Sequence, residues 1–144
     1  MILLDTNILL RYANPNDPAH LAVVATITKL FATGEALGIV PQNLYEFWVV
    51  ATRPIAANGH ELTIAECHQM LDGFKAAFTR VPDHPNLLAE WEALVVAHAC
   101  IGKLAHDARL VAAMRTHGLT KLLTFNGVDF RRFPGITVLD PATI

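Results

Sequence analysis

The sequence predicts an α/β protein with a three-layer α/β/α sandwich around a central, mostly parallel sheet of about five strands. Three observations lead to this class. Short apolar runs alternate with helical patterns along all 144 residues, as in proteins whose parallel strands are joined by helices. No repeat, low-complexity stretch or linker interrupts the alternation. The length is usual for one domain, so residues 1–144 are expected to form a single domain.

Five apolar runs are predicted strands, because each is shorter than an ordinary helix. Right-handed crossovers between parallel strands place all their carboxyl ends along one edge of the sheet. Ligands bind at that edge, in the crevice where the strand order reverses. The predicted strands are Ile2–Leu4, "ALGIVP" at 36–41, "TRVP" at 79–82, "KLLTF" at 121–125 and "ITVL" at 136–139.

Apolar residues at helical spacing predict six helices between these strands. Gly34 and Gly118 come where two of the patterns stop, as glycine does at helix ends. Thr63–Glu66, "TIAE", matches a capping box that opens a helix. Gly127, after the fourth strand, is expected to allow a tight turn or a positive φ. The predicted helices are 7–13, 20–34, 42–53, 63–78, 86–102 and 106–118.

Composition narrows the class of protein. The formal net charge of −2 excludes the strongly basic balance of a protein that binds duplex DNA over its whole surface. It does not exclude a metal-dependent nuclease, whose central carboxylates offset the cations around them. The apolar share is high at 53%. This indicates either a surface buried against a partner or a second copy, or simply a core rich in Ala and Leu.

The cellular compartment follows from what the sequence lacks. No apolar run reaches the roughly 20 residues of a membrane span, and the first residues have no signal-peptide pattern. Cys67 and Cys100 show no metal-ligand spacing. We therefore expect a cytoplasmic protein with reduced, structural thiols.

Polar residues cluster after the first and fourth strands. The opening "MILLDTN" runs from an apolar strand directly into Asp5, and "LLTFNGVDF" places Asn126 and Asp129 after the fourth strand. If the two strands are neighbours where the strand order reverses, these three side chains share one crevice. Asp5 would then be more than a turn residue.

Two further acids have plausible structural explanations. Asp107, in "HDARLVAAM", stands where a helix begins, and Asp is a favoured N-cap residue. Glu46, in "QNLYEFWVVATR", is spaced to share a solvated stripe with Gln42 and Arg53. In so apolar a helix, however, a buried carboxylate would be costly unless it were paired or bound to a cation. Both interpretations remain open for each residue.

Carboxylates at a strand end and on several helices suit a hard divalent cation. Mg²⁺ takes oxygen ligands and keeps some of its waters, and such ions promote hydrolytic cleavage of phosphodiesters. Without a cation, crowded carboxylates would repel each other and raise each other's pKa.

Four features follow one another along the chain: "LLDTN", a glutamate on a mid-chain helix, "HDARLVAA" and "LLTFNGVDF". In this order they resemble the PIN-domain ribonucleases, and most closely their VapC toxin branch. The likeness covers essentially the whole chain, and the combination is specific although "DTN" alone is weak. It implies an α/β/α fold and an endoribonuclease dependent on Mg²⁺ or Mn²⁺. By position, the resemblance assigns catalytic roles to Asp5, Glu46, Asp107, Asn126 and Asp129, with Asp5 and Asp107 as metal ligands.

The resemblance also implies supporting residues and one departure. Thr6 would offer a hydroxyl near the metal, Asn7 would orient it, and Thr124 is assigned to the same cofactor-binding group. Asn126 stands where many members of the family carry a fourth Asp. Either Asp129 supplies the missing charge or it caps the next turn, and a second metal ion is in doubt.

Members of the VapC branch usually form homodimers and are inhibited by a small antitoxin protein. The resemblance therefore implies both partners as well as an RNA substrate. The apolar helices 42–53 and 63–78 are the candidate partner surfaces, and the alternative is that they pack only on their own sheet. RNA contacts are expected from cations near the crevice, and the candidates are Arg11, Arg53, Lys103, Arg109, Arg131 and Arg132.

Other functional classes fit less well. A phosphatase of the haloacid dehalogenase type needs a second Asp two residues after the first, where this chain has Asn7. A receiver domain needs an early acidic pair and a phosphoacceptor Asp after its third strand. The remaining alternative is a PIN-like domain that binds RNA or protein without cutting, and only Asn126 favours it.

Overall fold

A computed structural model describes the whole chain, Met1–Ile144. Its sheet has five short strands. They are β1 (Ile2–Leu4), β2 (Leu37–Ile39), β3 (Thr79–Arg80), β4 (Lys121–Leu123) and β5 (Thr137–Leu139). All pairings are parallel, and the strand order is β3-β2-β1-β4-β5.

Seven α-helices and two short 3-10 helices surround the sheet. The α-helices are α1 (Thr6–Ala13), α2 (His20–Ala32), α3 (Pro41–Thr52), α4 (Ile64–Ala77), α5 (Leu87–Ala97), α6 (Leu104–Thr116) and α7 (Gly127–Phe130). The 3-10 helices are Ile55–Ala57 and Pro141–Thr143. None of the helices combines the length and the apolar character needed to cross a membrane.

The apolar residues form two separate cores, one on each face of the sheet. In β1, Ile2 and Leu4 belong to one core and Leu3 to the other, because successive side chains of a strand point to opposite faces. Helices α1 to α4 contribute to the first core. Helices α5, α6 and α7 contribute to the second. The predicted three-layer α/β/α class is confirmed.

The strand order reverses between β1 and β4. These strands pair in register, Leu4 opposite Leu123, although more than a hundred residues separate them. Just beyond the paired residues, the Asp5 N–H donates to the Leu123 carbonyl at 3.0 Å. Asp5 and Thr124, which follow the two strands, therefore lie next to each other at the carboxyl edge.

Several helix boundaries differ from their predicted positions. Helix α6 begins at Leu104, so Asp107 lies one turn inside it and the N-cap interpretation of Asp107 is wrong. Helix α5 ends at Ala97 rather than near Gly102, because Ala99 and Gly102 both adopt positive φ. The capping box at the start of α4 is confirmed, since the Glu66 N–H donates to the Thr63 hydroxyl oxygen.

The positive φ that was one of the two predictions for Gly127 is wrong. It is absent from the positive-φ residues, whereas Gly34 and Gly118 have φ of 76° and 66° at the ends of their helices. A Cβ at Gly127 would lie 2.9 Å from Cγ1 of Val138. The glycine therefore allows α7 to approach β5 closely.

Candidate active site

The predicted site residues converge at the carboxyl edge of the sheet, around the point where the strand order reverses. Asp5 follows β1, with Thr6 and Asn7 in the first turn of α1. Thr124 follows β4, and α7 begins right after Asn126. Helix α3 carries Glu46, α6 carries Asp107 and α7 carries Asp129.

Asp5 is held by two side chains that donate to the same carboxylate oxygen. The Thr124 hydroxyl lies 2.6 Å from Asp5 Oδ2, and Asn7 Nδ2 lies 2.8 Å from it. The Phe125 N–H donates to Asn7 Oδ1 at 3.3 Å, which fixes the orientation of the Asn7 amide. Asp5 is only 9% exposed, so its carboxylate is a fixed, largely buried acceptor.

Glu46 is held by residues from two elements. The Thr6 hydroxyl donates to Glu46 Oε2 at 2.7 Å, and Gln42 Nε2 donates to Oε1 at 2.7 Å. His106 Nδ1 lies 3.8 Å from the same Oε1. Gln42 is buried, so the predicted solvated stripe of Gln42, Glu46 and Arg53 is wrong.

Asn43 supports this arrangement from inside the protein, where it is fully buried. Its Nδ2 donates to the Leu4 carbonyl at 3.1 Å and to Thr6 Oγ1 at 3.2 Å. Its Oδ1 accepts from the Val40 N–H at 2.8 Å. Because Thr6 Oγ1 accepts from Asn43, its own proton is directed at Glu46.

Asp107 carries the least satisfied oxygen of the site. Its Oδ2 is buried and has no hydrogen-bond partner, which is uncommon in a folded protein. Burial raises the pKa of Asp107 to about 6, and the negative charges of Asp5 and Asp129 add to the rise. Such an atom is a candidate ligand for a cation.

Asn126 and Asp129 form one hydrogen-bonded unit. Asn126 Nδ2 donates to Asp129 Oδ2 at 2.6 Å, and the Asn126 N–H donates to Thr124 Oγ1 at 2.9 Å. Through Thr124 the unit is joined to Asp5. The chain therefore has an amide paired with a nearby carboxylate at the position of the missing fourth acid.

The carboxylates influence one another electrostatically. Burial raises the pKa of Asp5 to about 6, hydrogen bonds with Thr124 and the backbone oppose this rise, and the charge of Glu46 adds to it. The charge of Lys103 partly lowers the pKa of Asp107. Two acids with raised pKa values in one crevice are typical of a functional site.

The residues present fit a divalent cation. No three His, Cys, Asp or Glu side chains form a ready group of metal ligands, but Mg²⁺ usually takes only one or two carboxylates and keeps several waters. Asp5 and Asp107 would be those ligands. A cation there would satisfy the unpartnered Asp107 oxygen and offset the mutual repulsion of the acids.

Two supporting residues were missed by sequence reasoning. Gln42 lies four residues before Glu46, and Asn43 three residues before it. The i, i+4 spacing places Gln42 on the same face of α3 as Glu46. This spacing is the one feature of the sequence that could have identified Gln42 as a partner of Glu46. Nothing local predicts that both amides are buried.

The predicted RNA-contact cations differ in their surroundings. Arg11 lies over the Phe125 ring at 4.0 Å, and Lys103 is close enough to lower the pKa of Asp107. Arg109 donates to Gln42 and Asp83. Arg53 donates to the Asn58 carbonyl at 3.2 Å, whereas Arg131 and Arg132 are exposed.

Comparison with known proteins identifies a family match. The family model of the PIN domain matches residues 2–136. No curated protein matches the chain.

The fold is similar to several solved structures. VapBC2 from Rickettsia felis, bound to a promoter DNA fragment, contains a chain with a TM-score of 0.70 and 18% identity, covering 97% of this chain and 98% of that one. VapC20 from Mycobacterium tuberculosis, a sarcin-ricin loop cleaving toxin, has a TM-score of 0.67 and 18% identity, and the match covers 91% of this chain and 94% of that one. A toxin-antitoxin complex from Klebsiella pneumoniae has a TM-score of 0.64 and 20% identity, with 98% of each chain covered.

Proposed function

The chain belongs to the PIN domain family, and from this premise we propose that it is a metal-dependent endoribonuclease that cleaves RNA phosphodiester bonds. The observation that carries the proposal is that four acids lie around the carboxyl ends of β1 and β4, where burial and the charges of Asp5, Asp129 and Glu46 all raise the pKa of Asp107. Two of these acids have raised pKa values, and one carboxylate oxygen is buried without a partner.

Each residue has a role that follows from its contacts. Asp5 and Asp107 would hold Mg²⁺ or Mn²⁺, and Glu46 and Asp129 would complete the acidic core. When bound, such a cation would supply charge stabilisation for a phosphoryl oxygen and would lower the pKa of a bound water. Thr124 and Asn7 hold the Asp5 carboxylate in one orientation, and Thr6 does the same for Glu46.

The substrate is single-stranded or looped RNA. Arg11, which lies over the Phe125 ring next to Thr124, and Lys103, whose charge acts on Asp107, are the cations that attract the phosphate backbone. The similarity to a sarcin-ricin loop cleaving toxin supports RNA as the class of substrate.

We further propose that the protein is a toxin of a type II toxin–antitoxin pair in the cytoplasm, inhibited by a small antitoxin protein. The similarity to chains of a toxin-antitoxin complex supports this. The protein also forms a homodimer. Exposed apolar side chains on the two candidate helices support a partner surface, and they are Tyr45, Val49, Ile64 and Met70.

A cleavage assay with matched variants tests the nuclease. Purified protein is incubated with a labelled single-stranded RNA in Mg²⁺, in Mn²⁺ and in EDTA. We expect cleavage in both metals and none in EDTA, with a loss of at least about a hundredfold in Asp107→Asn, since metal-held charge contributes several kcal/mol. Asp17→Asn, an acid in a remote turn, is the control.

Two outcomes would contradict the proposal. Full cleavage in EDTA would exclude the metal mechanism. RNA binding without cleavage in either metal would instead support the alternative of a PIN-like domain that binds without cutting.

A further inference from the structure

A chain of hydrogen bonds connects the acidic site to the surface through an arginine. Arg109, on α6, donates from one nitrogen to Asp83 Oδ2 at 2.9 Å and from the other to Gln42 Oε1 at 3.1 Å. Gln42 Nε2 then donates to Glu46 Oε1 at 2.7 Å and to the His106 carbonyl at 2.8 Å. Neither Arg109 nor Asp83 has a role in the proposed nuclease mechanism.

The contacts of Gln42 fix which way its amide faces. A guanidinium can only donate, so the amide oxygen of Gln42 must face Arg109. Both amide hydrogens then face Glu46 and the His106 carbonyl, which are acceptors. Since Gln42 is 5% exposed, water cannot readily replace these partners.

This polar link matters because α3 and α6 lack a common core. The buried α3 residues Phe47 and Ala51 belong to the core on one face of the sheet. The buried residues of α6, from Ala108 to Met114, belong to the core on the other. Apolar packing therefore sets the position of each helix against the sheet but does not directly set the distance between Glu46 and Asp107.

We propose that Gln42 and Arg109 are positioning residues of the acidic site, which hold Glu46 on α3 at a set place relative to Asp107 on α6. Glu46 has a side chain that is 33% exposed. Thr6 holds its Oε2, and Gln42 restrains the other oxygen, Oε1, on the side that faces α6. Arg109 keeps the Gln42 amide in its donating orientation. This inference rests on the proposed function.

The test compares metal affinity and kinetics in matched variants. Gln42→Met keeps the approximate volume and loses every hydrogen bond, and Arg109→Lys keeps the charge but cannot donate to Gln42 and Asp83 in the same fork. Arg115→Gln is the control, because Arg115 lies on the same helix and contacts Glu90 and Pro134 instead. Mn²⁺ binding is measured by calorimetry, and RNA cleavage by initial rates.

Gln42 and Arg109 position Glu46, an acid of the core around the two proposed ligands Asp5 and Asp107, and outer hydrogen bonds at a metal site typically contribute 10- to 100-fold to metal affinity or activity. We expect Gln42→Met to raise the Kd for Mn²⁺ by roughly 10-fold and to lower kcat by a similar or larger factor, with KM for RNA within about twofold. Arg109→Lys should also raise the Kd for Mn²⁺ and lower kcat, by smaller factors. Arg115→Gln should have the Kd and the kcat of the wild type.

The outcomes separate the two proposals. If the wild type binds Mn²⁺ and cleaves RNA but Gln42→Met and Arg109→Lys do so equally well, the positioning role is wrong and the nuclease remains. If Gln42→Met does not fold, Arg109→Lys decides alone. If the wild type neither binds Mn²⁺ nor cleaves RNA, the proposed function fails, and the positioning role fails with it.

Discussion

At the scale of single residues, two opposing effects act on the ionisation of Asp5. Its carboxylate accepts from Thr124 and Asn7, which favours the charged form, but burial disfavours that form more strongly and raises its pKa from 3.8 to about 6. An ionised Asp5 therefore destabilises the folded protein in the absence of a cation. The proposed cation would offset this cost.

The direction of the pH dependence follows from that shift. Between pH 4 and 6 the folded protein keeps a proton on Asp5 that the unfolded chain has released. The free energy of unfolding therefore falls as pH rises through this range, by up to about 3 kcal/mol from Asp5 alone. Well above pH 6, Asp5 is ionised in both the folded and the unfolded state, so its contribution to the free energy of unfolding no longer changes with pH.

We predict that Asp5→Asn removes this contribution. In EDTA at pH 7.5 the variant should melt at the same or a higher temperature than the wild type, with the advantage fading toward pH 4. In Mn²⁺ the melting temperature of the variant should rise less than that of the wild type, because stabilisation by a ligand scales with RT ln(1 + [L]/Kd) and the Kd of the variant is higher. Melting curves with and without Mn²⁺, from pH 4 to 7.5, measure both effects.

The same curves for Asp17→Asn provide the baseline for a turn acid. Should Asp5→Asn show the pH dependence and the metal-induced shift of the wild type, Asp5 would be only a turn residue and the proposed site would be misplaced.

Asn126 is the second residue whose role a substitution can decide. Its amide donates to Asp129 at 2.6 Å, so Asn126→Asp replaces a hydrogen bond with two facing carboxylates. We predict a lower melting temperature in EDTA, because like charges repel, and tighter Mn²⁺ binding, because an anionic oxygen is added. Calorimetry measures the affinity. An unchanged Kd would place Asn126 outside the ligand set and leave Asp129 as the fourth acid.

At the scale of elements, helix boundaries determine what the site residues can do. Because α6 begins at Leu104, the N-cap residue is Lys103 and Asp107 is the fourth residue of the helix. The Asp107 side chain is therefore not used as the cap. Helix α4 has the opposite arrangement. Its Thr63 and Glu66 bond to each other's backbone N–H groups and are fully engaged in capping.

That capping box provides a stability test away from the site. Hydrogen bonds from Thr63 lower the pKa of Glu66, so its stabilising effect is present at neutral pH and is lost as pH falls through the lowered value. We predict that Thr63→Ala destabilises the protein by ~1 kcal/mol and leaves Mn²⁺ affinity unchanged. Urea unfolding at pH 7 measures the loss, and Thr63→Ser, which keeps the hydroxyl, should restore most of it. A wild-type midpoint in Thr63→Ala would show that the box contributes little.

At the scale of the whole molecule, the apolar excess of the sequence is divided between core and surface. Two clusters of 14 buried residues fill the spaces on either face of the sheet, and large apolar side chains also remain exposed. Tyr45 and Val49, at i and i+4 on α3, are 63% and 58% exposed. The core therefore accounts for part of the apolar excess, and the exposed part is the surface to which the proposed partners would bind.

We predict that Tyr45 and Val49 contribute to the dimer surface. A Tyr45→Ser, Val49→Ser double variant should shift the sedimentation coefficient toward that of a 15.7 kDa monomer, because it removes apolar area from the contact. Leu21→Ser is the matched control, since Leu21 is an exposed apolar residue of α2. Identical sedimentation of the wild type and the double variant would exclude this surface.

The sequence alone determined the class of fold and most candidate residues, because those features follow from short-range patterns. Alternating apolar runs predict strands and helices within a few residues, and the motifs around Asp5, Asp107 and Asn126 are local. The capping box at Thr63 could be predicted for the same reason.

Only the tertiary structure decided which of these residues meet, and how each is held. Asp5 and Thr124 are neighbours because β1 pairs with β4, a pairing that no local pattern specifies. The bonds of Gln42 to His106 and Arg109 span 64 and 67 residues, so helical spacing could place Gln42 beside Glu46 but could not show that it is buried. Burial and long-range hydrogen bonds depend on every element packed around a residue, and for that reason the sequence predicted the acids and Asn7 but not the buried amides of Gln42 and Asn43.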